Sequence, residues 1–549
     1  MSHFILYTDK WHKPKEIDWK EQSIDCFNLG VTKNEFSKYD KYENEFYLIC
    51  WQGEIWYKEN VFHYCTPNEI LNLFSKNTDI HDYLSGNFAL LIIDKKNKTT
   101  YTFTDKYGTV PIFYLSERAI FLSTEYEVLL ATLTQKKINY DALAEYFLYD
   151  STLGEKTLIS NIKKLPSNAC MIIDAHGNFQ IKVSKVVYSV AQDISIEDAS
   201  NKILEILQTA LKRTFLNYNK EDLLLTLSGG LDSRILLGLI EPNNYEQLDV
   251  LTIHSKNLSP ENDSDVLIAK QIQKQYNFRH RIEAIEVFDK SLSLSYFENN
   301  QNFTYNGKKL MVGTYGGEFL TGALDFTLNK NLKERISDYQ KWYNKFPNFF
   351  VVNKEKELLR EIFEPTIISD MNNFPSAVLK PILNSHNGLL KLSIQVLSSS
   401  FFSNVYRGSL GAWLQPYKAQ NGKLTFYLNP ELVDYILSLP SSFINDMTFE
   451  IYHHIYKNQL NQLTKFPTNN VVYTNRNDAL IKLIKEGEEP KNFRSEISSL
   501  IEKNFGNTNI LLEKKLVKES YLNKIKSENN VKEIAKVIDL SNWLIYFNV

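Results

Sequence analysis

Up to about residue 185 the chain is built from short apolar or alternating runs. EFYLICWQGEIWY (Glu45–Tyr57) and NFALLIIDKKNKTTYTFTDKYGTVPIFYLS (Asn87–Ser116) are bounded by Asn, Asp, Gly and Lys, and such runs read as β-strands joined by turns. The long helical candidate in this part is NYDALAEYFLYD (Asn139–Asp150). From about Ile194 the period changes. SIEDASNKILEILQTALKRTFLN (Ser195–Asn217) repeats apolar residues at helical spacing behind a Ser-x-x-Asp start. An aliphatic strand, Leu223–Leu227, follows, then a helix opening at Ile235–Ile240, a strand LDVLTIHS (Leu248–Ser255) and a helix DSDVLIAKQIQKQYN (Asp263–Asn277). Strand–helix–strand alternation predicts a parallel, doubly wound sheet. Beyond about Phe326 the pattern is mainly helical, and the last sixty or so residues, rich in Lys and Glu, are expected to be surface helices.

The junction LLLTLSGGLDSRILLG (Leu223–Gly238) carries the chemistry. Adjacent Gly229 and Gly230 between a strand and a helix permit positive φ and close approach to a ligand. Their amides, with the helix N-terminus behind them, suit an anion such as phosphate. Ser228 and Ser233 add hydroxyls, and Asp232 places a carboxylate where magnesium could sit beside phosphates. The Gly-Lys-Ser/Thr ending of the common P-loop is missing, which disfavours a kinase or GTPase.

With 549 residues the chain has room for two to four domains. A net charge of −3 gives no reason to expect nucleic-acid or membrane binding. Cys26, Cys50, Cys65 and Cys170 are scattered without a CxxC pair, so reduced thiols in a cytoplasmic protein are expected, without structural zinc. No run of about 18 apolar residues predicts a membrane span, and the polar start MSHFILYTDKWHKPK does not read as a signal peptide.

Together these segments resemble the asparagine synthetase superfamily. Trp51–Tyr57 resembles Y-N-G-E-I-Y-N; Leu84–Asp94 resembles L-x-G-x-F-A-F-A-x-x-D; Phe103–Tyr114 is similar to A-R-D-R-x-G-x-x-P-L-Y-Y; Leu122–Leu130 is similar to x-S-S-E-x-K-A-L. SGGLDS is similar to the ATP-pyrophosphatase loop. The resemblance covers roughly Glu43 to Asn470. It implies an α/β + α+β protein: an Ntn-hydrolase-like αββα sandwich over 1–190, a doubly wound parallel-sheet ATP-pyrophosphatase domain (adenine nucleotide α-hydrolase-like) over 191–490, and a helical extension over 491–549. It also implies ATP and Mg²⁺, with Leu227, Ser228, Gly229, Gly230, Leu231, Asp232, Ser233, Gly316 and Gly317 at the nucleotide and Asp232 and Glu318 on the metal.

Glutaminases of this family use an N-terminal cysteine whose free α-amino group, pKa near 8, serves as base. Here that position is Ser2, and a hydroxyl is far less acidic than a thiol. Gln52 stands at the asparagine of the family's N-G-E, and Ser85 replaces the carboxylate expected before Gly86. These departures predict a sandwich without glutamine hydrolysis; an N-terminal serine nucleophile is the competing reading.

The second metal ligand of the family lies on a turn matched here by VGTYGGEFLTGA (Val312–Ala323). Its Tyr-Gly-Gly-Glu resembles the β-lactam synthetase turn G-Y-G-A-D, where the tyrosine deprotonates an amine. Tyr315 is thereby a candidate base, provided positive charge lowers its pKa from about 10; the alternative is packing. Its glutamate partner has no match, because SNVYRGSLGAW shows Tyr406 and Arg407 instead of an acid. Lys465, in QLTKFPTNN, is the candidate cation for departing pyrophosphate, against an ordinary surface lysine. Asp265 matches an acidic family position and equally well a helix-start carboxylate.

The expected activity is AMP-forming amide synthesis of the macrolactam or lactam type, as in lasso-peptide cyclases. The substrate would be a small molecule or peptide carrying a carboxylate and an amine, with a precursor peptide and a processing protease as candidate partners, and neither nucleic acid nor membrane. The alternatives are an ammonia-dependent relative of asparagine synthetase and a non-catalytic scaffold.

Overall fold

The computed structural model describes residues 4–8, 19–24, 26–32, 41–76, 79–116, 119–149, 152, 154–184, 194–255, 259–285, 308–313, 320, 353–372, 423–440, 443, 449–474, 478–484, 505–529, 531–546 and 548–549. The alternating runs of the first part become two six-stranded antiparallel sheets. Seven of their strands are β1 (Phe4–Tyr7), β2 (Trp19–Ile24), β3 (Phe27–Thr32), β4 (Tyr42–Glu43), β5 (Tyr47–Tyr57), β6 (Leu84–Asp94) and β7 (Thr99–Thr104). The others are β8 (Phe113–Leu115), β9 (Phe121–Ser123), β10 (Lys163–Lys164), β11 (Ala169–Ile173) and β12 (Phe179–Val183). One sheet runs β10-β8-β9-β1-β3-β2, the other β12-β11-β7-β6-β5-β4.

The pleat divides β5 and β6 between two cores. Leu48, Cys50, Ala89, Leu91 and Ile93 enter the core shared with β1, β3 and β9. Ile49, Ile55, Leu90 and Ile92 pack on the opposite face, as period-two alternation requires. That face is covered by α1 (Pro67–Phe74), a helix too short to show in the sequence reading. A capping box starts it: Thr66 N–H donates to Glu69 Oε2 at 2.7 Å, and Glu69 N–H donates to Thr66 Oγ1 at 3.4 Å. The other helices of this part are α2 (Tyr126–Thr132) and α3 (Tyr140–Tyr149).

A third sheet of five parallel strands uses β13 (Leu223–Thr226), β14 (Asp249–Ser255), β15 (Arg279–Ile285), β16 (Lys309–Val312) and β17 (Lys423–Thr425), in the order β15-β14-β13-β16-β17. The chain leaves the central strand β13 through α5 (Asp232–Leu239) and α6 (Ser264–Tyr276) toward β15. It then crosses to β16 on the other side of β13. That reversal marks a crevice at the carboxyl ends of β13 and β16, where ligands bind in such sheets. Helix α4 (Ile196–Asn217), opened by Ser195 as the sequence predicts, adds Ile203, Leu207 and Leu211 to the core of this sheet.

The end of the chain differs from the expectation of surface helices. Helices α7 (Asn353–Ile362), α8 (Pro365–Ser369), α11 (Asn509–Glu513), α12 (Glu519–Ser527) and α13 (Val531–Tyr546) share a continuous core with the antiparallel sandwich, while α9 (Pro430–Ser438) and α10 (Glu450–His454) belong to the parallel-sheet core. The Phe147 ring of α3 meets Phe363 at 5.1 Å and Tyr521 at 6.3 Å. Lys536 is buried and donates to Phe147 O at 2.9 Å, and Tyr146 Oη returns a bond to Lys536 O at 3.1 Å. The Lys and Glu residues of these helices concealed an apolar stripe that includes Leu522, Ile525, Val537 and Trp543.

Candidate functional site

The turn Leu227–Leu231 joins the end of β13 to α5 at the crevice. Leu227 is fixed by continued pairing: its N–H donates to Leu251 O, and Thr252 Oγ1 donates to its carbonyl, both at 2.9 Å. Ser228 N–H donates to Ser233 Oγ at 3.1 Å, and Gly230 N–H to Ser228 Oγ at 3.2 Å. Neither glycine takes the positive φ that the sequence reading allowed; space is what demands Gly229. A Cβ there would lie 2.6 Å from Ile268 Cδ1 and 2.9 Å from Asp265 Oδ1. At Gly230 a Cβ would meet, among the described residues, only Ser228 Oγ, at 3.2 Å, which leaves room there for a phosphate cradle.

Gly229 is held from both sides. Its N–H donates to Asp265 Oδ1 at 2.6 Å, and Asn469 Nδ2 donates to the same oxygen at 2.7 Å. Burial of the carboxyl pushes the Asp265 pKa up to about 6, the bond from Gly229 working in the opposite direction. Asp265 is therefore more than a helix-start carboxylate: it ties α6 to the turn. The Gly229 carbonyl accepts from Thr468 Oγ1 at 2.9 Å and from Arg234 Nη2 at 3.2 Å. Arg234 also donates to Pro467 O at 2.6 Å and to Phe466 O at 3.2 Å. The sequence reading passed over Arg234, since an arginine one position past the motif reads as a surface residue.

Asp232 begins α5, with Tyr452 Oη donating to its carboxylate. Tyr427 Oη donates to the Asp232 carbonyl at 3.0 Å, and Tyr456 Oη to the Leu231 carbonyl at 2.8 Å. All three phenols belong to buried residues, and burial, then the Asp232 charge, keeps Tyr452 and Tyr427 well above the usual tyrosine pKa. They remain donors through the physiological range. The available signal was the Tyr452–Tyr456 spacing in IYHHIY, which puts both rings on one face of a helix.

Gly313, just past β16, lies against the first turn of α5: a Cβ there would sit 2.6 Å from Ser233 N. This contact brings the beginning of the Val312–Ala323 segment to the turn. Tyr315, Gly316, Gly317 and Glu318 lie outside the described residues, as do Ser2, Tyr406 and Arg407. Lys465 is exposed, with Nζ 5.2 Å from the Phe466 ring centre. It sits next to the segment that Arg234 and Thr468 fasten to Gly229, yet none of its described contacts reaches the turn. The space at Gly230 among the described residues, the hydroxyls of Ser228 and Ser233 and the buried guanidinium of Arg234 fit a polyphosphate, and the Asp232 carboxylate fits a divalent ion beside it.

In the sandwich, Gln52 is 1 % exposed, and neither atom of its amide has a hydrogen-bond partner among the described residues. Ser85 Oγ donates to Glu431 Oε1 at 2.6 Å, and Trp56 Nε1 donates to the same oxygen at 3.0 Å. Glu431 comes from α9, in the other half. Glu54 accepts from Tyr218 Oη at 2.6 Å and Tyr64 Oη at 3.0 Å, and lies 3.6 Å from Lys309 Nζ of β16. The Arg213 guanidinium stacks 3.5 Å above the Trp56 ring. Thus Ser85, one of the positions at which the sequence departs from a glutaminase, faces a polar seam between the two halves. Glu431, Lys309 and Tyr218 were missed because they are remote in sequence from the motifs they meet.

Residues 66–183 match the model of a glutamine amidotransferase domain family. The chain is 21% identical over 263 residues to a glutamine-hydrolysing asparagine synthetase of Bacillus subtilis (strain 168), an alignment covering 43% of this chain and 41% of that protein. The match thus spans about two fifths of the curated relative's length. Among solved structures, an NH3-dependent NAD synthetase from Campylobacter jejuni aligns at 16% identity and TM-score 0.18, over 33% of this chain and 93% of that one. A glutamine phosphoribosylpyrophosphate amidotransferase from B. subtilis aligns at 10% identity and TM-score 0.17, over 52% and 60%. At such scores the fold rests on the sheets described above.

Proposed function

We propose that this chain, a relative of asparagine synthetase, is an ATP-dependent ligase that activates a carboxylate and joins it to an amine. The observation that carries the reading is the turn at residues 227–231, set at the crevice of the parallel sheet with Asp232 at the head of α5. In this reading Ser228, Gly229, Gly230 and Ser233 hold the triphosphate of ATP, and Asp232 holds Mg²⁺ together with Glu318. When bound, the ion would shield phosphate charge and polarise the reacting phosphorus. A substrate carboxylate oxygen displaces pyrophosphate from the α-phosphorus; the amine then displaces AMP from the acyl carbon and loses its proton, with Tyr315 as candidate acceptor. Lys465 is the candidate for the departing pyrophosphate. The buried phenols of Tyr427 and Tyr452 hold Asp232 in place and keep its carboxylate aimed by a hydrogen bond.

We read the amine as belonging to the substrate, as in lactam- and macrolactam-forming members, rather than as ammonia from glutamine. Ser85 and Glu54 support this, because their side chains are already engaged by Glu431, Tyr64, Tyr218 and Lys309.

The test is carboxylate-dependent exchange of radiolabel between pyrophosphate and ATP, with Asp232→Ala as control. Exchange that disappears in the variant supports adenylation; exchange that persists in it removes Asp232 from the reaction. Glutamate release from glutamine should stay at background, and measurable release would overturn the reading of the sandwich. Amide formation from free ammonia with a carboxylate lacking an amine would favour the ammonia-dependent alternative.

A further inference from the structure

Arg234 is 0 % exposed. Its described partners are three backbone carbonyls, those of Gly229, Phe466 and Pro467, and its Nε–H has none. No carboxylate pairs with it among the described residues. Asp265 touches the same glycine but bonds to the amide, not to the guanidinium. A buried cation without a counter-ion is costly, and a neutral side chain of similar length would spare that cost. Carbonyl dipoles stabilise the charge in part, yet they leave it whole. The charge sits directly behind a turn at whose Gly230 a Cβ would meet only Ser228 Oγ among the described residues. Arginine is suited to this place because it stays protonated when desolvated, and burial lowers its pKa only from a very high starting value.

We propose that Arg234 is a positioning residue of the turn: a fixed buried cation whose missing counter-charge is the polyphosphate of the bound nucleotide. The inference rests on the ligase reading and deepens it. Its guanidinium sets the Gly229 carbonyl and joins it to the 466–468 segment, and its field favours ligands in proportion to their phosphate charge. A purely structural staple would lack that second property.

The experiment titrates full-length wild type, Arg234→Gln, Arg234→Lys and Thr468→Val with ATP, ADP and AMP by calorimetry, with melting curves alongside. Arg234→Gln should weaken ATP about tenfold or more, ADP less and AMP least. Arg234→Lys should keep the wild-type ratio of ATP to AMP affinity within about threefold, because the charge remains. Thr468→Val removes a neutral donor from the same carbonyl and should shift all three nucleotides equally. Equal loss of all three in Arg234→Gln, or unchanged ATP affinity, would overturn the proposal. Should Arg234→Gln not fold, collapse of the ATP to AMP ratio in Arg234→Lys would overturn it instead. A wild-type chain that binds no nucleotide defeats the ligase reading itself, a distinct result.

Discussion

The Lys309 ammonium at the start of β16 lies 3.6 Å from the Glu54 carboxylate of β5, across the seam between the parallel sheet and the sandwich. Lys309 is 7 % exposed, and burial lowers its pKa while Glu54 works the other way. Removing Glu54 leaves the buried Lys309 charge without its carboxylate and takes an acceptor from two half-buried phenols, Tyr64 and Tyr218. We expect Glu54→Ala to cost about 2–4 kcal/mol in denaturant unfolding. Part of that loss should return in Glu54→Ala/Lys309→Met, where the orphaned charge is gone. A double variant no more stable than the single one would show that the pair is not the source.

Tyr452→Phe removes the phenol that donates to the Asp232 carboxylate while leaving the ring packed. If the phenol aims the carboxylate, Mg²⁺–ATP turnover should fall by about tenfold with little loss of stability, since a hydrogen bond to a charged group is worth about 1.5–3 kcal/mol. Steady-state kinetics over a Mg²⁺ titration will show whether the loss is in metal affinity. Unaltered kinetics would mean that Asp232 orients itself.

Asp265 predicts a pH effect with a defined sign. Its folded pKa, about 6, lies above the ordinary carboxylate value of 3.8. The native state therefore holds a proton that the unfolded chain has released, and stability is lost as pH rises from the unfolded value through about 6. Asp265→Asn should flatten that slope in melting temperature and match or exceed wild type above the window. An unchanged slope in the variant would assign the effect to other groups.

Trp543 is 1 % exposed in α13 and belongs to the core of the sandwich. Trp543→Ala should cost about 3–5 kcal/mol, and limited proteolysis should then cut earlier within 126–149, where α2 and α3 meet this layer. Cleavage restricted to the last helices would indicate a layer only loosely coupled to the sandwich.

Much of this was legible in the sequence for a local reason. The short apolar runs within Tyr47–Tyr57 and Leu84–Asp94 marked two strands, and the run Leu223–Leu227 followed by Ser228 and two glycines marked the turn. The capping box at Thr66 was present but announced a helix only eight residues long. The Lys- and Glu-rich end concealed a buried stripe because composition reports average polarity, whereas burial depends on which face meets a neighbour.

Backbone periodicity and the steric demands of glycine act over a few residues, so the chain alone determined its strands, its strand–turn–helix junction and the acid that follows it. Tertiary structure decided what those residues touch. Gly229 meets Asp265 and Thr468, Asp232 meets Tyr452, and Glu54 meets Lys309, at separations of 36 to 255 positions that local rules do not span. The order of strands in the parallel sheet brings Gly313 to Ser233, and the packing of the 466–468 segment buries the Arg234 guanidinium behind the turn.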